Sequence, residues 1–137
     1  MSQENVEIVR RWIDAYNRRD FEGIVEIIDP DFDFRSAVEQ KSYRGIAGLA
    51  RYRDEVDALI ENFHTEGDRF LDVDEDRVLH LYRVLGRGAG SGVPVSRHNA
   101  IVWQLRRGKL LTAQVYLDQR EAFDAVGLSE QDAHSDS

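Results

Sequence analysis

The chain contains no cysteine, two prolines and one methionine. Without thiols there is no disulfide framework, no thiolate nucleophile and no cysteine metal site. Long hydrophobic runs are missing too. Uninterrupted apolar stretches reach about four or five residues, against roughly 20 needed to cross a bilayer. Basic charge is not in surplus: 18 Lys and Arg face 26 Asp and Glu, a formal net charge of −8. Such a chain repels phosphate backbones, which argues against a nucleic-acid partner. The densest basic run, "RRGK" at 106–109, falls where a hairpin turn is expected and reads as solvated. "MSQENVEIVRR" lacks the basic-then-apolar order of a signal peptide. A cytoplasmic location with no membrane partner is the default expectation.

What is present suits one domain with one core. There are 137 residues, 42% of them hydrophobic. The domain is expected over 1–128, with the polar "SEQDAHSDS" at 129–137 as a disordered tail.

Val6, Val9, Ile13 and Tyr16 recur at helical spacing, with Trp12 on the same face. "NRRD" interrupts them. Asp20 can cap a second helix striped by Phe21, Ile24, Val25 and Ile28 and ended by Pro30. "DFDFRSA" alternates and predicts a strand. A third helix is predicted from Gly45, lined by Leu49, Tyr52, Val56, Leu59, Ile60 and Phe63, with His64 at its end. Four strand-like segments follow: "RFLDV", "RVLHLYRVLGRG", "VPVSRHNAIVWQLR" and "KLLTAQVYLD", separated by turns. Short turns make successive strands antiparallel. A final helix carries Ala122, Phe123 and Val126 and stops at Gly127. The helical stripes need a surface to bury against, so the expected class is α+β with the helices on one face of a curved sheet.

The concave side of such a sheet favours a small-molecule site. Strand parity sorts its lining. Asn99, Ile101, Trp103 and Leu105 form the bulkier apolar set and are assigned inward; His98 belongs to the outward set. Val78, His80, Tyr82 and Val84 share one face, and Leu79, Leu81 and Leu85 the other. With both faces apolar, a homodimer through the outer face is expected. In the last strand Thr112, Gln114, Tyr116 and Asp118 share a face. Pattern alone would turn them outward, leaving Asp118 remote from a pocket.

Asp118 has two readings. "DQRE" fits a capping box, with Asp118 as the cap and Glu121 reaching back. Asp118 could instead be an acid/base at a pocket mouth, which would need a raised pKa where a cap lowers it. His80 is either a pocket acid/base or a satisfied inner-face histidine. No metal is expected, because the histidines are scattered without ligand spacing. The aromatics Trp12, Tyr16, Phe34, Tyr52, Tyr82, Trp103 and Tyr116 serve as core or line a pocket for a flat, partly polar molecule.

"VEIVRRWIDAYNRRDFEGIVEIIDPDFDFR", "GRGAGSGVPV" and "VWQLRRGKLLTAQVYLDQREAFDAVGL" together resemble the SnoaL-like branch of the nuclear transport factor 2-like superfamily, over roughly residues 4–128. The resemblance implies a cone whose curved, mixed or antiparallel sheet wraps around helices and a central pocket, often dimeric through the outer face. It does not settle an activity. The ketosteroid isomerase pattern would place its catalytic groups at Trp12, Ser36 and Ile101, none of which has the needed chemistry. The epoxide hydrolase triad would need its other members near Tyr82 and Val84 and is broken. The SnoaL-type cyclases work without metal or cofactor and use an aspartate matched by Asp118. The resemblance therefore implies a cofactor-free cyclase or isomerase acting on a small apolar or aromatic carbonyl compound. In that reading Asp118 is the acid/base, with His80, Tyr82 or Tyr116 orienting the carbonyl. Trp12, Tyr16, Phe34, Tyr52, Asn99, Ile101, Trp103 and Tyr116 would contact the ligand. The alternative is a ligand-binding or dimerisation domain without chemistry.

Overall fold

A computed structural model describes residues 2–129. The tail expected at 129–137 therefore lies, but for Ser129, outside the described residues. The elements run α1 (Ser2–Asn17), α2 (Phe21–Val25), β1 (Ile28–Arg35), β2 (Ser42–Arg44), α3 (Gly45–Leu59), β3 (Ile60–Asp72), β4 (Arg77–Gly88), β5 (Pro94–Arg106), β6 (Lys109–Tyr116) and α4 (Gln119–Val126). The six strands form one sheet in the order β2-β1-β6-β5-β4-β3. β1 runs parallel to β6, and every other pair is antiparallel. Among the described residues no helix is long and apolar enough to cross a membrane.

The sheet curls strongly into a half-barrel, and its register breaks mark where it bends. The β3–β4 pairing shifts between Glu61 and His64 and again between Glu66 and Arg69. Extra residues of this kind kink a strand and increase its twist. At the first break Asn62 takes a φ of 56°. Opposite it, Gly86 approaches so closely that a Cβ would lie 2.7 Å from the Glu61 carbonyl oxygen.

Two predicted boundaries move. The second helix ends at Val25, and Ile28 opens β1 instead. Pro30 lies inside that strand, in the stretch between Ile28 and Asp33 where the β1–β6 register slips, so its missing N–H costs no ladder bond. The third helix ends at Leu59, placing Ile60, Phe63 and His64 in β3. Apolar residues at 60 and 63 fit a helical stripe equally well, and the long pairing with β4 decides for the strand.

The inner core joins Val9, Trp12, Ile13 and Tyr16 of α1 to Val78, Ile101, Trp103 and Val115 of the sheet. Trp12 stacks on Tyr16 at 4.6 Å and meets Trp103 edge-on at 4.7 Å. The last helix departs from the expectation that all helices share one face. Ala122, Phe123 and Val126 of α4 pack on Leu71, Leu79, Leu81 and Ala100, on the other side of the sheet. The apolar outer set from which a dimer was expected is thus covered in part by the chain's own helix.

One charge lies inside this core. Arg53 is 1% exposed. Its guanidinium sits 4.6 Å from the Tyr16 ring centroid and 4.8 Å from that of Phe63. Nη1 donates to the Tyr16 carbonyl, and Nε donates to Asp57 Oδ1 at 3.1 Å. Arg19 holds the other Asp57 oxygen at 2.8 Å. Beside it, the Thr65 N–H donates to Asn17 Oδ1 at 3.1 Å. A buried cation costs several kcal/mol unless its donors and faces are used. Here two aromatic rings and two donors are engaged, Nη2 has no hydrogen-bond partner among the described residues, and the last turn of α1 is fastened to α3 and β3.

Arg53→Met is therefore expected to lower the unfolding free energy by about 2–4 kcal/mol, read as a lower denaturant midpoint at unchanged slope. The clamp is also acid-sensitive. Burial acts to raise the Asp57 pKa, but hydrogen bonds from Arg19 and Arg53 outweigh it and hold the carboxyl below its ordinary value. A depressed carboxylate contributes fully above its unfolded pKa of about 4 and loses that contribution as pH falls through the folded value. In a pH series of unfolding midpoints, the acid decline should be smaller in Asp57→Asn than in wild type.

Candidate functional site

Between α1, α3 and the concave face lies a cavity of about 150 Å³. Helix α1 contributes Trp12, Ile13 and Tyr16, and α3 contributes Tyr52 and Val56. Phe34 comes from β1, and Ile60, Phe63 and Thr65 from β3. Tyr82 and Val84 of β4 and Arg97, Asn99 and Ile101 of β5 complete the sheet side, with Leu117 after β6. The walls are mostly aromatic and aliphatic. Phe34 and Tyr52 meet at 4.7 Å, and Tyr16 and Phe63 at 6.1 Å.

Apart from the Arg97 guanidinium, the polar atoms in the wall are few and neutral. Trp12 Nε1, the Tyr16 hydroxyl and Asn99 Oδ1 are buried without a hydrogen-bond partner among the described residues. Such atoms are uncommon in native interiors. Burial pushes the Tyr16 phenol well above its usual value, with the Tyr52 phenol adding to the effect. Tyr52 is raised to about 12 by burial, then by Tyr43 and Glu55. Both hydroxyls stay protonated at any physiological pH, able to donate a hydrogen bond but not to take a proton from carbon. Among the described residues no carboxylate or imidazole lines the cavity.

Seven of the sequence-predicted residues come together here: Trp12, Tyr16, Phe34, Tyr52, Tyr82, Asn99 and Ile101. Four do not line it. Trp103 is fully buried beneath Trp12. His80 is fully buried on the same side of the sheet, its ring 4.7 Å from Phe70 and 4.8 Å from Tyr82. Tyr116 faces the other way, pairs with Ala100 and packs on the outer cluster. Asp118 follows the same parity, is exposed, and caps α4 by accepting the Arg120 N–H at 2.9 Å. The N–H of Glu121 returns to the Asp118 backbone carbonyl at 3.1 Å. Pattern alone turns the polar set of β6 outward, and the pattern holds.

The expected residues leave out Arg97, Thr65, Phe63 and Leu117. The alternation of Asn99, Ile101 and Trp103, extended two positions back, reaches Arg97, so that signal was present. Phe63 and Thr65 were hidden by the misplaced end of α3. Among the described residues no group of three or more His, Cys, Asp or Glu is placed to hold a metal ion.

A family model described as a SnoaL-like domain matches residues 9–112. Solved structures share the architecture. A nuclear transport factor 2-like protein from Burkholderia xenovorans LB400 is 24% identical over 86% of this chain and 92% of its own, with a TM-score of 0.75. A protein provisionally named a SnoaL-like polyketide cyclase, from Jannaschia sp. CCS1, is 18% identical over 91% and 92% of the two chains, with a TM-score of 0.75. TerC, crystallised with polyporic acid, is 18% identical over 90% and 98%, with a TM-score of 0.73. These likenesses show the cone fold. Among curated proteins no sequence matches significantly.

Two measurements check this geometry. Spectroscopic titration should find the Tyr52 phenol ionising near pH 12 and the Tyr16 phenol well above the ordinary tyrosine value, with Tyr52→Phe and Tyr16→Phe as assignments. Asp118→Ala should cost about 0.5–2 kcal/mol of stability, the loss of a helix cap.

Proposed function

The chain belongs to the SnoaL-like domain family, and we propose that its cone binds a small, single-ring molecule without passing a proton through a side chain. The carrying observation is the chemistry of the lining: aromatic walls, neutral hydroxyl and amide groups, one arginine, and among the described residues no carboxylate or imidazole. General acid–base catalysis needs a group that titrates near the working pH and reaches the substrate. Tyr16 and Tyr52 are shifted away from that range. Asp118, the acid/base implied by the cyclase resemblance, is committed to the start of α4. Among the two sequence readings, this chemistry supports the binding domain over the cyclase.

Volume sets the ligand class. Pockets for drug-sized molecules run to roughly 300–1,000 Å³, whereas an apolar cavity of about 150 Å³ accommodates benzene in a well-studied engineered protein. The present cavity is of that second size, which favours one ring with a short substituent over a multi-ring polyketide. Burying roughly 200 Å² of aromatic surface at about 25 cal/mol/Å² gives about 5 kcal/mol, a Kd on the order of 0.1–1 mM before polar contacts.

The protein carries its own reporter, since Trp12 lines the cavity and touches Trp103. Acetophenone should change tryptophan fluorescence saturably and give a matching isotherm by calorimetry. A four-ring aromatic ketone should not. Val56→Phe, which fills the space, should abolish the acetophenone signal without loss of fold. No saturable response to acetophenone up to its solubility would sink the proposal.

A further inference from the structure

We propose that the natural ligand of the cavity is an anion, a small ring-bearing carboxylate whose acid group is held by Arg97. This rests on the binding role proposed above and specifies its ligand class. Arg97 lies on the inward face of β5, two residues before Asn99 and four before Ile101, and lines the same cavity as both. Its strand neighbour is Val84, whose partner on β3 is Thr65, so the guanidinium belongs to a row at the open end of the aromatic wall. It is exposed, and among the described residues it has no hydrogen bond or ion pair.

That isolation is informative in this protein. Acidic residues outnumber basic ones, 26 to 18, so a counter-ion for an arginine is easily found. Three acidic side chains among the described residues are engaged elsewhere. Asp57 is held by Arg19 and Arg53, Glu66 by Arg83, and Glu55 accepts from the Tyr43 hydroxyl. Among the described residues no carboxylate lines the cavity. The site therefore presents an apolar aromatic chamber, neutral hydrogen-bonding groups within, and an uncompensated planar cation at the mouth. A guanidinium recognises a carboxylate in a bidentate fashion, and the aromatic walls accept the ring. A neutral ketone would leave Arg97 unused.

The test compares benzoate with its neutral analogues acetophenone and benzamide, by calorimetry and tryptophan fluorescence, in wild type, Arg97→Gln and Arg97→Lys. Arg97 is exposed, so the substitutions should fold normally. The expected result is benzoate binding at least about tenfold tighter than either neutral probe, given the strength of charge-assisted hydrogen bonds. Arg97→Gln should erase that advantage by weakening benzoate far more than either neutral probe, and Arg97→Lys should restore part of it. Added salt should weaken benzoate alone. If the neutral probes bind and benzoate shows no advantage, or an advantage indifferent to Arg97, the inference is overturned and the binding role stands. If no probe binds, both are overturned.

Discussion

Two aromatic walls of the cavity, Tyr16 and Phe63, pack against one buried guanidinium. Arg53 also donates to the Tyr16 carbonyl at the end of α1. Both rings belong to the cavity wall. Two donors and two ring contacts hold the charge in this position, while Nη2 has no hydrogen-bond partner among the described residues. Two helices and the edge strand β3 therefore meet at a point that cannot easily slide. Asn17 and Thr65 repeat the same connection one step further along.

Burial in the apolar wall desolvates the hydroxyls embedded in it, which is why the Tyr16 and Tyr52 phenols are pushed up, at Tyr16 against the lowering effect of the Arg53 charge. Burial thus removes both tyrosines from acid–base work. His80, on the inner face, is folded into the core between Phe70 and Tyr82 and does not line the cavity. What is left for the site is recognition: ring stacking, neutral hydrogen bonds and the charge of Arg97 at the rim.

Much of this was legible from residue order. The alternation of Asn99, Ile101, Trp103 and Leu105 identified the concave face, and the periodicity of α1 placed Trp12 and Tyr16 against it. The same alternation predicted that Asp118 and Tyr116 point outward, a result that the family resemblance pulled against. Arg53 escaped notice because an arginine on an apolar stripe reads as solvated. Its signal was the spacing Leu49–Arg53–Asp57, which puts an ion pair on the buried face of α3. The end of α3 was misread because Ile60 and Phe63 suit either period, and only the tertiary pairing of β3 with β4 resolves that. Cavity volume and the absence of a counter-ion for Arg97 depend on side-chain packing across elements distant in sequence, and no local pattern carries them.

The most direct test of the clamp's importance is the affinity of acetophenone for Arg53→Met, measured by calorimetry under conditions where the variant remains fully folded. Arg53 does not line the cavity, so it can affect the ligand only through Tyr16 and Phe63. If the clamp shapes the site, binding weakens by about an order of magnitude, as expected when the support behind a wall is loosened. Unchanged affinity would contradict the account, and would mean that the aromatic walls hold their positions without the charge between them.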